Sequence, residues 1–394
     1  MIPLIPLMKN TFVNEVETKK RLAEFIISSE KLTMGKKCAQ FEYDFATIQG
    51  RRNGILFNSG GSANLALLQS LKNLGKLRDG SRIGFSALTW STNVMPIIQL
   101  GMIPVAVDCK ISTLNVMSEN LLDILDNTKI DAFFITNVLG FSGDLDRIRE
   151  ICNSENILLI EDNCEALGTV ISNNKTGNFG LASSFSFFVA HHMSTIEGGM
   201  ICTDDEELEE MLRVVRANGW DRNLTNNQQK TLRQKHNVAS EFEAKYTFYD
   251  LGFNLRPTEI TGFLGSLQLE YLVDNITKRN LNHIELSKVI AQNPDLILID
   301  NSQIEFLSPF AFPVVCKTAE LMNLYRAKFF NSGIEVRPMI AGNIQHQPFF
   351  RKYVQNSKSC PGADFLTWNS FYCGNYPELL SKDLKLIKEC IDKI

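Results

Sequence analysis

The stretch Ile157-Leu-Leu-Ile-Glu-Asp-Asn-Cys-Glu-Ala-Leu-Gly168 begins with a short apolar run and continues into carboxylates. An apolar run of this length, bounded by polar residues, is typical of a buried strand. Similar runs alternate with helix-like segments: strands are predicted at 82–86, 103–107, 132–136, 157–160, 184–188 and 200–203, and helices at 62–74, 118–125 and 144–154. This alternation predicts an α/β protein with a mainly parallel sheet. Ligands bind beyond the carboxyl ends of such strands, so Asp162 is a candidate site residue.

Size and composition narrow the class of protein. The chain has 394 residues, enough for a large domain and a smaller one. We predict an N-terminal arm and large domain over residues 1–275 and a small C-terminal α/β domain over 276–394. The net charge of −4 argues against nucleic acid as a partner. Residues 83–107 carry no charge, but their polar side chains and two prolines argue against a membrane span.

The nine cysteines are scattered, and none forms a C-x-x-C pair. Zinc and iron–sulfur sites usually show such pairs, so we predict no metal site and no iron–sulfur cluster. An odd number of single cysteines is typical of reduced, mostly buried thiols. The cysteine pattern therefore predicts a cytoplasmic protein.

Two short motifs each allow two interpretations. Ser59-Gly-Gly-Ser-Ala63 is a glycine-rich turn at the start of a predicted helix. The N–H groups at a helix start bind phosphate well, but a tight turn with a serine cap explains the same residues. Asp162 follows a buried strand, where it either pairs with the ring nitrogen of a pyridine cofactor or caps the next helix.

A pair of histidines stands in Ser183-Ser-Phe-Ser-Phe-Phe-Val-Ala-His-His-Met-Ser-Thr-Ile-Glu-Gly-Gly199. An imidazole exchanges protons near neutral pH but has no primary amine. His191 is therefore a candidate for proton transfer and not for covalent attachment of a carbonyl group. His192 is either a second acid or a packed neighbour.

Taken in order along the chain, these motifs resemble the DegT/DnrJ/EryC1/StrS sugar aminotransferase family. That family has the aspartate-aminotransferase fold (PLP fold type I), and the resemblance covers nearly the whole chain. It implies that pyridoxal 5'-phosphate (PLP) or pyridoxamine 5'-phosphate (PMP) is the cofactor. It also implies that Trp90 stacks on the cofactor ring, that Asp162 pairs with the ring nitrogen and that Glu165 lies nearby. The residues implied in phosphate binding are Gly60, Gly61, Ser62, Ser186 and, from the second subunit of a homodimer, Asn254.

His191 stands where the family has the lysine that holds the cofactor covalently. Within the family, histidine there is typical of 3-dehydratases of nucleotide-linked 4-keto-6-deoxy sugars. Because no cysteine occurs between Gly219 and Asp250, the chain resembles the cluster-free branch, which acts on GDP-4-keto-6-deoxymannose, more than the CDP-sugar branch with its [2Fe–2S] cluster. The resemblance implies that L-glutamate forms PMP, that His191 is the base, and that water and ammonia are released.

The substrate-binding candidates are less sharply defined. Arg337 and Arg256 are candidates for the carboxylate of glutamate or the diphosphate of the sugar, because guanidinium binds both in a bidentate manner. Asn343 and His346 are candidates for lining the sugar pocket. Two alternatives stay open: a non-catalytic sensor or scaffold, and a sugar aminotransferase that uses another lysine. The nearest such lysine, Lys175, lies in a predicted surface turn.

Overall fold

The computed structural model describes residues 3–393, and a seven-stranded sheet forms its centre. The strands of the chain are β1 Asn53–Phe57, β2 Arg82–Ser86, β3 Ile103–Val107, β4 Ala132–Thr136, β5 Leu158–Asp162, β6 Val170–Ile171, β7 Asn174–Lys175, β8 Ala182–Ser186, β9 Gly199–Thr203, β10 Ala311–Val315, β11 Val336–Pro338 and β12 Ser370–Gly374. The large sheet has the order β1-β9-β8-β5-β4-β2-β3. Strand β9 is antiparallel to both of its neighbours, and every other adjacent pair is parallel. The predicted mainly parallel sheet is confirmed.

Helices cover the sheet and connect its strands. They are α1 Glu15–Ser28, α2 Lys36–Gln49, α3 Gly60–Asn73, α4 Met95–Gln99, α5 Ser118–Leu125, α6 Leu145–Ser154, α7 Glu206–Arg216, α8 Asn226–Lys235, α9 Glu241–Ala244, α10 Glu259–Leu269, α11 Leu272–Ile290, α12 Ala319–Asn331, α13 Pro348–Tyr353, α14 Pro361–Asn369 and α15 Ser381–Ile391, with 3-10 turns at Ser91–Asn93, Val138–Gly140 and Ile344–His346. Within residues 3–393, no helix is both long enough and apolar enough to cross a membrane.

The strands of the large sheet follow the predicted apolar runs closely. The predictions for β2, β3 and β4 match the observed bounds. Strand β8 begins and ends two residues earlier than predicted, because its pairing with β9 stops at Ser186. Strand β1 was not predicted; it is a sheet edge that pairs only with β9.

A second, antiparallel sheet has the order β10-β12-β11 and lies in the C-terminal part of the chain. The predicted boundary at residue 275 falls within helix α11, which runs from one part to the other. The beginning of the N-terminal arm packs on this second sheet: Ile5 pairs with Ile334 and is buried in the same apolar cluster. The arm therefore contacts the small unit, whereas the predicted division placed it with the large one. The division itself stays a prediction.

His283 of α11 lies where the two parts of the chain meet. Its ring is 5.4 Å from the ring of Phe141 and 5.5 Å from that of Phe312, measured between centroids. The side chain is only 6% exposed, and burial lowers the pKa of the imidazole to about 4. The folded protein thus holds His283 neutral at a pH where the unfolded chain binds a proton.

This burial predicts a loss of stability in acid. As the pH falls from about 6.5 to about 4, the His283 imidazole is protonated in the unfolded chain but not in the folded one. This difference lowers the free energy of unfolding by up to about 1.4 kcal/mol per pH unit. We expect His283→Gln to make the free energy of unfolding less dependent on pH in this window, measured by urea titration at several pH values. His236→Gln, at an exposed histidine, is the control. If the free energy of unfolding of His283→Gln depends on pH as strongly as that of the parent, His283 is not the group responsible.

Candidate active site

The carboxyl ends of β4, β5 and β8 open into a cavity of about 520 Å³. Its wall is completed by the start of α3, the turn after β2, the chain that follows β8, the N-terminal arm and residues of the second sheet. The residues that line it are Leu7, Ser59, Gly60, Gly61, Trp90, Thr92, Asn93, Thr136, Asp162, Cys164, Glu165, Ser186, Phe188, Ala190, His191, Glu197, Phe310, Ala311, Arg337, Ile340, Tyr372 and Gly374. The structure thus brings together six of the eight predicted cofactor-binding residues with His191 and Arg337.

The glycine-rich turn forms one end of the cavity. Ser59 caps α3 by accepting a hydrogen bond from the N–H of Ser62 at 3.0 Å. The N–H groups of Gly60 and Gly61, in the first helical turn, have no acceptor within the helix. A Cβ atom on Gly60 would lie 2.8 Å from the Cβ of Ser186, so only glycine allows this approach. The geometry suits an anion between the helix start and Ser186.

Asp162 is a buried carboxylate that ends β5. It is 3% exposed, and its Oδ2 accepts hydrogen bonds from Asn93 Nδ2 at 2.7 Å and from Asn64 Nδ2 at 3.0 Å. The N–H of Cys164 donates to Oδ1 at 2.9 Å. In the described part of the chain no lysine or arginine pairs with Asp162. Three neutral donors therefore fix a carboxylate that can still accept a cationic N–H from a ligand.

Sequence reasoning missed the role of the two asparagines. Both are fully buried: Asn64 directly follows the glycine-rich turn, and Asn93 lies three residues after Trp90. A buried asparagine next to apolar neighbours, as in Ala63-Asn-Leu-Ala-Leu-Leu68, was the available signal, because buried amides need polar partners.

Glu165 is a second buried carboxyl group at the cavity wall. Its Oε2 accepts a hydrogen bond from the N–H of Leu139 at 2.7 Å, and burial raises its pKa to about 8, with a further contribution from Asp162. Tyr372 lines the cavity from β12, and burial, with a smaller effect of Glu165, raises the pKa of its phenol. Tyr372 was not predicted as a site residue.

His191 reaches the same cavity with its imidazole partly exposed. Its ring lies 5.2 Å from that of Phe310, and its Nδ1 is buried with no hydrogen-bond partner among the described residues. The pKa of the imidazole is lowered to about 4, mainly by burial, with a smaller contribution from the nearby Arg279 guanidinium. The neutral form, which accepts protons, therefore dominates at pH 7. His192 points elsewhere: it is buried, with its Nε2 3.0 Å from the carbonyl oxygen of Ser308, as expected for a packed neighbour.

Trp90 and Arg337 separate the main cavity from a second cavity of about 820 Å³, and both residues line both cavities. The guanidinium of Arg337 pairs with Glu335 at 2.5 Å. Asn343 and His346 lie outside the main cavity and line the second one. Both already bind Asp364, Asn343 through Nδ2 at 2.7 Å and His346 through Nε2 at 2.6 Å.

The remaining predicted residues lie away from the main cavity. Ser62 is part of the helix cap and does not line the cavity. Asn254 is exposed and accepts a hydrogen bond from Arg256 Nε at 3.1 Å, so its predicted role in a neighbouring subunit stays a prediction. Lys175 also lies outside the cavity, in strand β7. Across residues 3–393, no group of three or more histidine, cysteine, aspartate or glutamate side chains is arranged to bind a metal ion.

The sheet order and the position of the cavity define the class of protein. The chain has the α/β architecture of PLP-dependent aminotransferases, with the site at the carboxyl ends of the parallel strands. It belongs to the DegT/DnrJ/EryC1/StrS aminotransferase family, whose family model matches residues 14–392.

Several known proteins are similar over their full length. GDP-4-keto-6-deoxy-D-mannose 3-dehydratase of Escherichia coli O55:H7 is 32% identical over 98% of this chain and 99% of its own. The structure of the E. coli GDP-4-keto-6-deoxy-D-mannose-3-dehydratase with bound hydrated PLP superposes with a TM-score of 0.90, at 31% identity, over all of both chains. A structure of GDP-4-keto-6-deoxymannose-3-dehydratase with a trapped PLP-glutamate geminal diamine gives a TM-score of 0.89, at 30% identity, over 98% of this chain and 100% of that one.

The raised pKa of Glu165 predicts how the stability of the protein depends on pH. Between about pH 4.5 and 8 the folded state keeps the carboxyl proton that the unfolded chain has released, so stability falls as the pH rises. Glu165→Gln stays neutral and keeps an oxygen for the Leu139 N–H. We expect the variant to gain stability relative to the parent by about 1–3 kcal/mol between pH 5 and 8, measured by urea titration.

Glu150→Gln is a suitable control, because Glu150 is largely exposed and forms an ion pair with Arg147 on the same helix. If the stability difference between Glu165→Gln and the parent stays constant from pH 5 to 8, then Glu165 is ionised in the folded protein.

Proposed function

We propose that this chain is a PLP/PMP-dependent 3-dehydratase of a nucleotide-linked 4-keto-6-deoxy sugar, with GDP-4-keto-6-deoxymannose as the substrate. The observation that carries the proposal is the neutral His191 imidazole in a cavity whose described lining contains no lysine. The proteins that are similar over the full length carry this activity in their names. The expected product is a 4-keto-3,6-dideoxy sugar, with release of water and ammonia.

The residues present fit the cofactor. The open N–H groups of Gly60 and Gly61, next to the hydroxyl of Ser186, suit its phosphate. Asp162, held by neutral donors alone, suits the protonated nitrogen of a pyridine ring. Trp90, 55% exposed at the cavity mouth, has a free face for stacking. When bound, the cofactor supplies an amine and a ring that withdraws electrons.

In the proposed reaction His191 moves the proton. We assign the transfer to Nε2, because Nδ1 is buried inside the protein. The neutral imidazole accepts a proton there and, once charged, donates it to the C3 hydroxyl group as that group leaves as water. Glu165 is a carboxylic acid at neutral pH because of its raised pKa, so it adds a hydrogen-bond donor to the cavity without a second negative charge beside Asp162.

The second cavity provides space for the nucleotide part of the substrate. It adjoins the main cavity at Arg337 and carries a second arginine, Arg326, together with the indole of Trp368. Guanidinium groups suit the diphosphate, and an indole face suits a base. In this proposal Asn343 and His346, bound to Asp364, shape the nucleotide end of the site and not the sugar end.

The proposal also includes a cytoplasmic homodimer with shared sites and L-glutamate as amino donor. The exposed position of Asn254, away from the cavity of its own chain, fits a role in the site of a second copy. The supporting comparison for glutamate is the PLP-glutamate adduct in a similar protein. A conventional aminotransferase is less well supported, since Lys175 does not line the cavity. A scaffold without catalysis would not need Asp162, Trp90 and the glycine turn together.

The deciding experiment measures products. The protein is incubated with PLP, L-glutamate and GDP-4-keto-6-deoxymannose, and ammonia and product mass are followed. We expect ammonia and a sugar that has lost one oxygen, and a rate at least 10²-fold lower in His191→Asn, because the base is missing. His191→Lys should bind PLP covalently, seen as a mass increase after borohydride reduction, and should dehydrate poorly. His236→Asn, at an exposed histidine, is the control.

Each other outcome has a definite meaning. Full activity in His191→Asn would contradict the assignment of the base. An amino sugar without ammonia would indicate an aminotransferase. Failure to bind the cofactor, with no turnover, would favour a scaffold.

The glycine turn allows a separate test of cofactor binding. In Gly60→Ala the new methyl group would meet the Cβ of Ser186 at 2.8 Å, and neither backbone-bound atom can move freely. Overpacking of this kind costs about 1–3 kcal/mol, so we expect PLP affinity to fall by about tenfold or more, measured by absorbance titration. Circular dichroism serves to confirm that the variant is folded. A folded Gly60→Ala protein with unchanged affinity would place the phosphate elsewhere.

A further inference from the structure

The first described residues of the N-terminal arm form part of the wall of the main cavity. The N–H of Ile5 donates to the carbonyl of Gly333 at 3.1 Å, and the N–H of Glu335 donates to the carbonyl of Ile5 at 2.8 Å. Leu7 follows and lines the cavity. Its carbonyl lies so close to β12 that a Cβ on Gly374 would be 2.6 Å from it. The arm is therefore seated firmly at Ile5 and reaches the cavity at Leu7.

Glu335 joins this arm to the arginine of the cavity. Its Oε2 accepts a hydrogen bond from the N–H of Leu7 at 3.0 Å, and its Oε1 pairs with Arg337 Nη2 at 2.5 Å. Glu335 and Arg337 are two residues apart at strand β11, so their side chains extend on the same face. One carboxylate thus serves both the arm and the arginine.

Arg337 is also the one lysine or arginine among the described residues that line the main cavity. The same wall carries the acidic residues Asp162, Glu165 and Glu197. An anionic ligand that enters the cavity therefore finds a single cation, and Glu335 already occupies part of that guanidinium. Any carboxylate or phosphate that binds Arg337 with both branches must compete with Glu335.

We propose that Glu335 is a positioning residue that couples the binding of an anionic substrate group at Arg337 to the N-terminal arm. The anion displaces the Glu335 carboxylate from Arg337. Glu335 then loses the contact that fixes its side chain, and Leu7 loses a stable acceptor for its N–H. The cavity wall loosens at Leu7 while the arm stays anchored at Ile5. This inference rests on the proposed function, whose anionic groups are the carboxylates of L-glutamate and the diphosphate of the nucleotide sugar.

The kinetic test uses the holoenzyme with Glu335→Gln. Glutamine keeps an oxygen for the Leu7 N–H but has no charge to hold Arg337. We expect the KM of the displacing ligand to fall by about two- to fivefold, as for a partly exposed ion pair, with the effect on KM and not on kcat. The KM values for L-glutamate and for the nucleotide sugar, measured separately, show which anion is responsible. In an Arg337→Gln background Glu335→Gln should have no effect.

Hydrogen exchange gives a readout that does not depend on turnover. We expect the amide of Leu7 to exchange about fivefold faster when L-glutamate, the nucleotide sugar or inorganic diphosphate saturates the protein, because one hydrogen bond is lost. Arg337→Gln should abolish this response. Glu389→Gln, at an exposed glutamate that pairs with Lys385 on its own helix, is the control and should respond like the parent.

Two results would overturn the coupling. One is an unchanged or raised KM for both ligands in Glu335→Gln. The other is a hydrogen-exchange rate of the Leu7 amide that none of the three anions changes. If diphosphate accelerates exchange at Leu7 while no dehydration is found, the coupling stands and the proposed function fails.

Discussion

The site depends on one constraint, a buried carboxylate that pairs with no lysine or arginine within residues 3–393. Asp162 ends a central strand, and hydrogen bonds from Asn64, Asn93 and the N–H of Cys164 stabilise its charge. These donors come from α3, from the turn after β2 and from the chain that follows β5. Holding one carboxylate therefore fixes three segments relative to one another. The same segments carry the glycine turn, Trp90 and Glu165, so the polar network also sets the geometry of the cavity.

The second constraint is the low polarity around the groups that titrate. Burial pushes the pKa of Glu165 up to about 8 and that of His191 down to about 4, so both are neutral at pH 7. Both groups are neutral but differ in what they can do: the carboxyl group of Glu165 can donate a hydrogen bond, and the imidazole of His191 can accept a proton. A site that already holds the charge of Asp162 avoids further charge in this way. In the proposed reaction, His191 is then free of its proton before the substrate binds.

Local sequence patterns predicted most strands of the large sheet and marked Asp162, His191 and the glycine-rich turn as site candidates, because strand ends and helix starts are local features. The family resemblance, and not a local pattern, added Trp90, Glu165 and Ser186. The apolar runs located β2 to β5, and the last residues of β4 and β5, Thr136 and Asp162, line the site. Features that depend on distant pairing were not predicted. Edge strand β1 is defined by its pairing with β9. Asn343 and His346 both form hydrogen bonds with Asp364, and they line the second cavity. The link from Leu7 to Glu335 spans most of the chain, so no local pattern indicates it.

The surroundings of His191 also explain why an imidazole suits this position. Arg279 lies behind it, with its guanidinium bound to the carbonyl oxygens of Phe310 and Asn375, and burial lowers even the pKa of this arginine to about 10. A permanent second cation at position 191 would be buried beside the first. A histidine is neutral there and gains its charge only when it accepts a proton. Because that charged form is disfavoured by burial and by Arg279, the protonated imidazole is a stronger acid than free imidazole, which suits the donation of a proton to the leaving hydroxyl group in the proposed reaction.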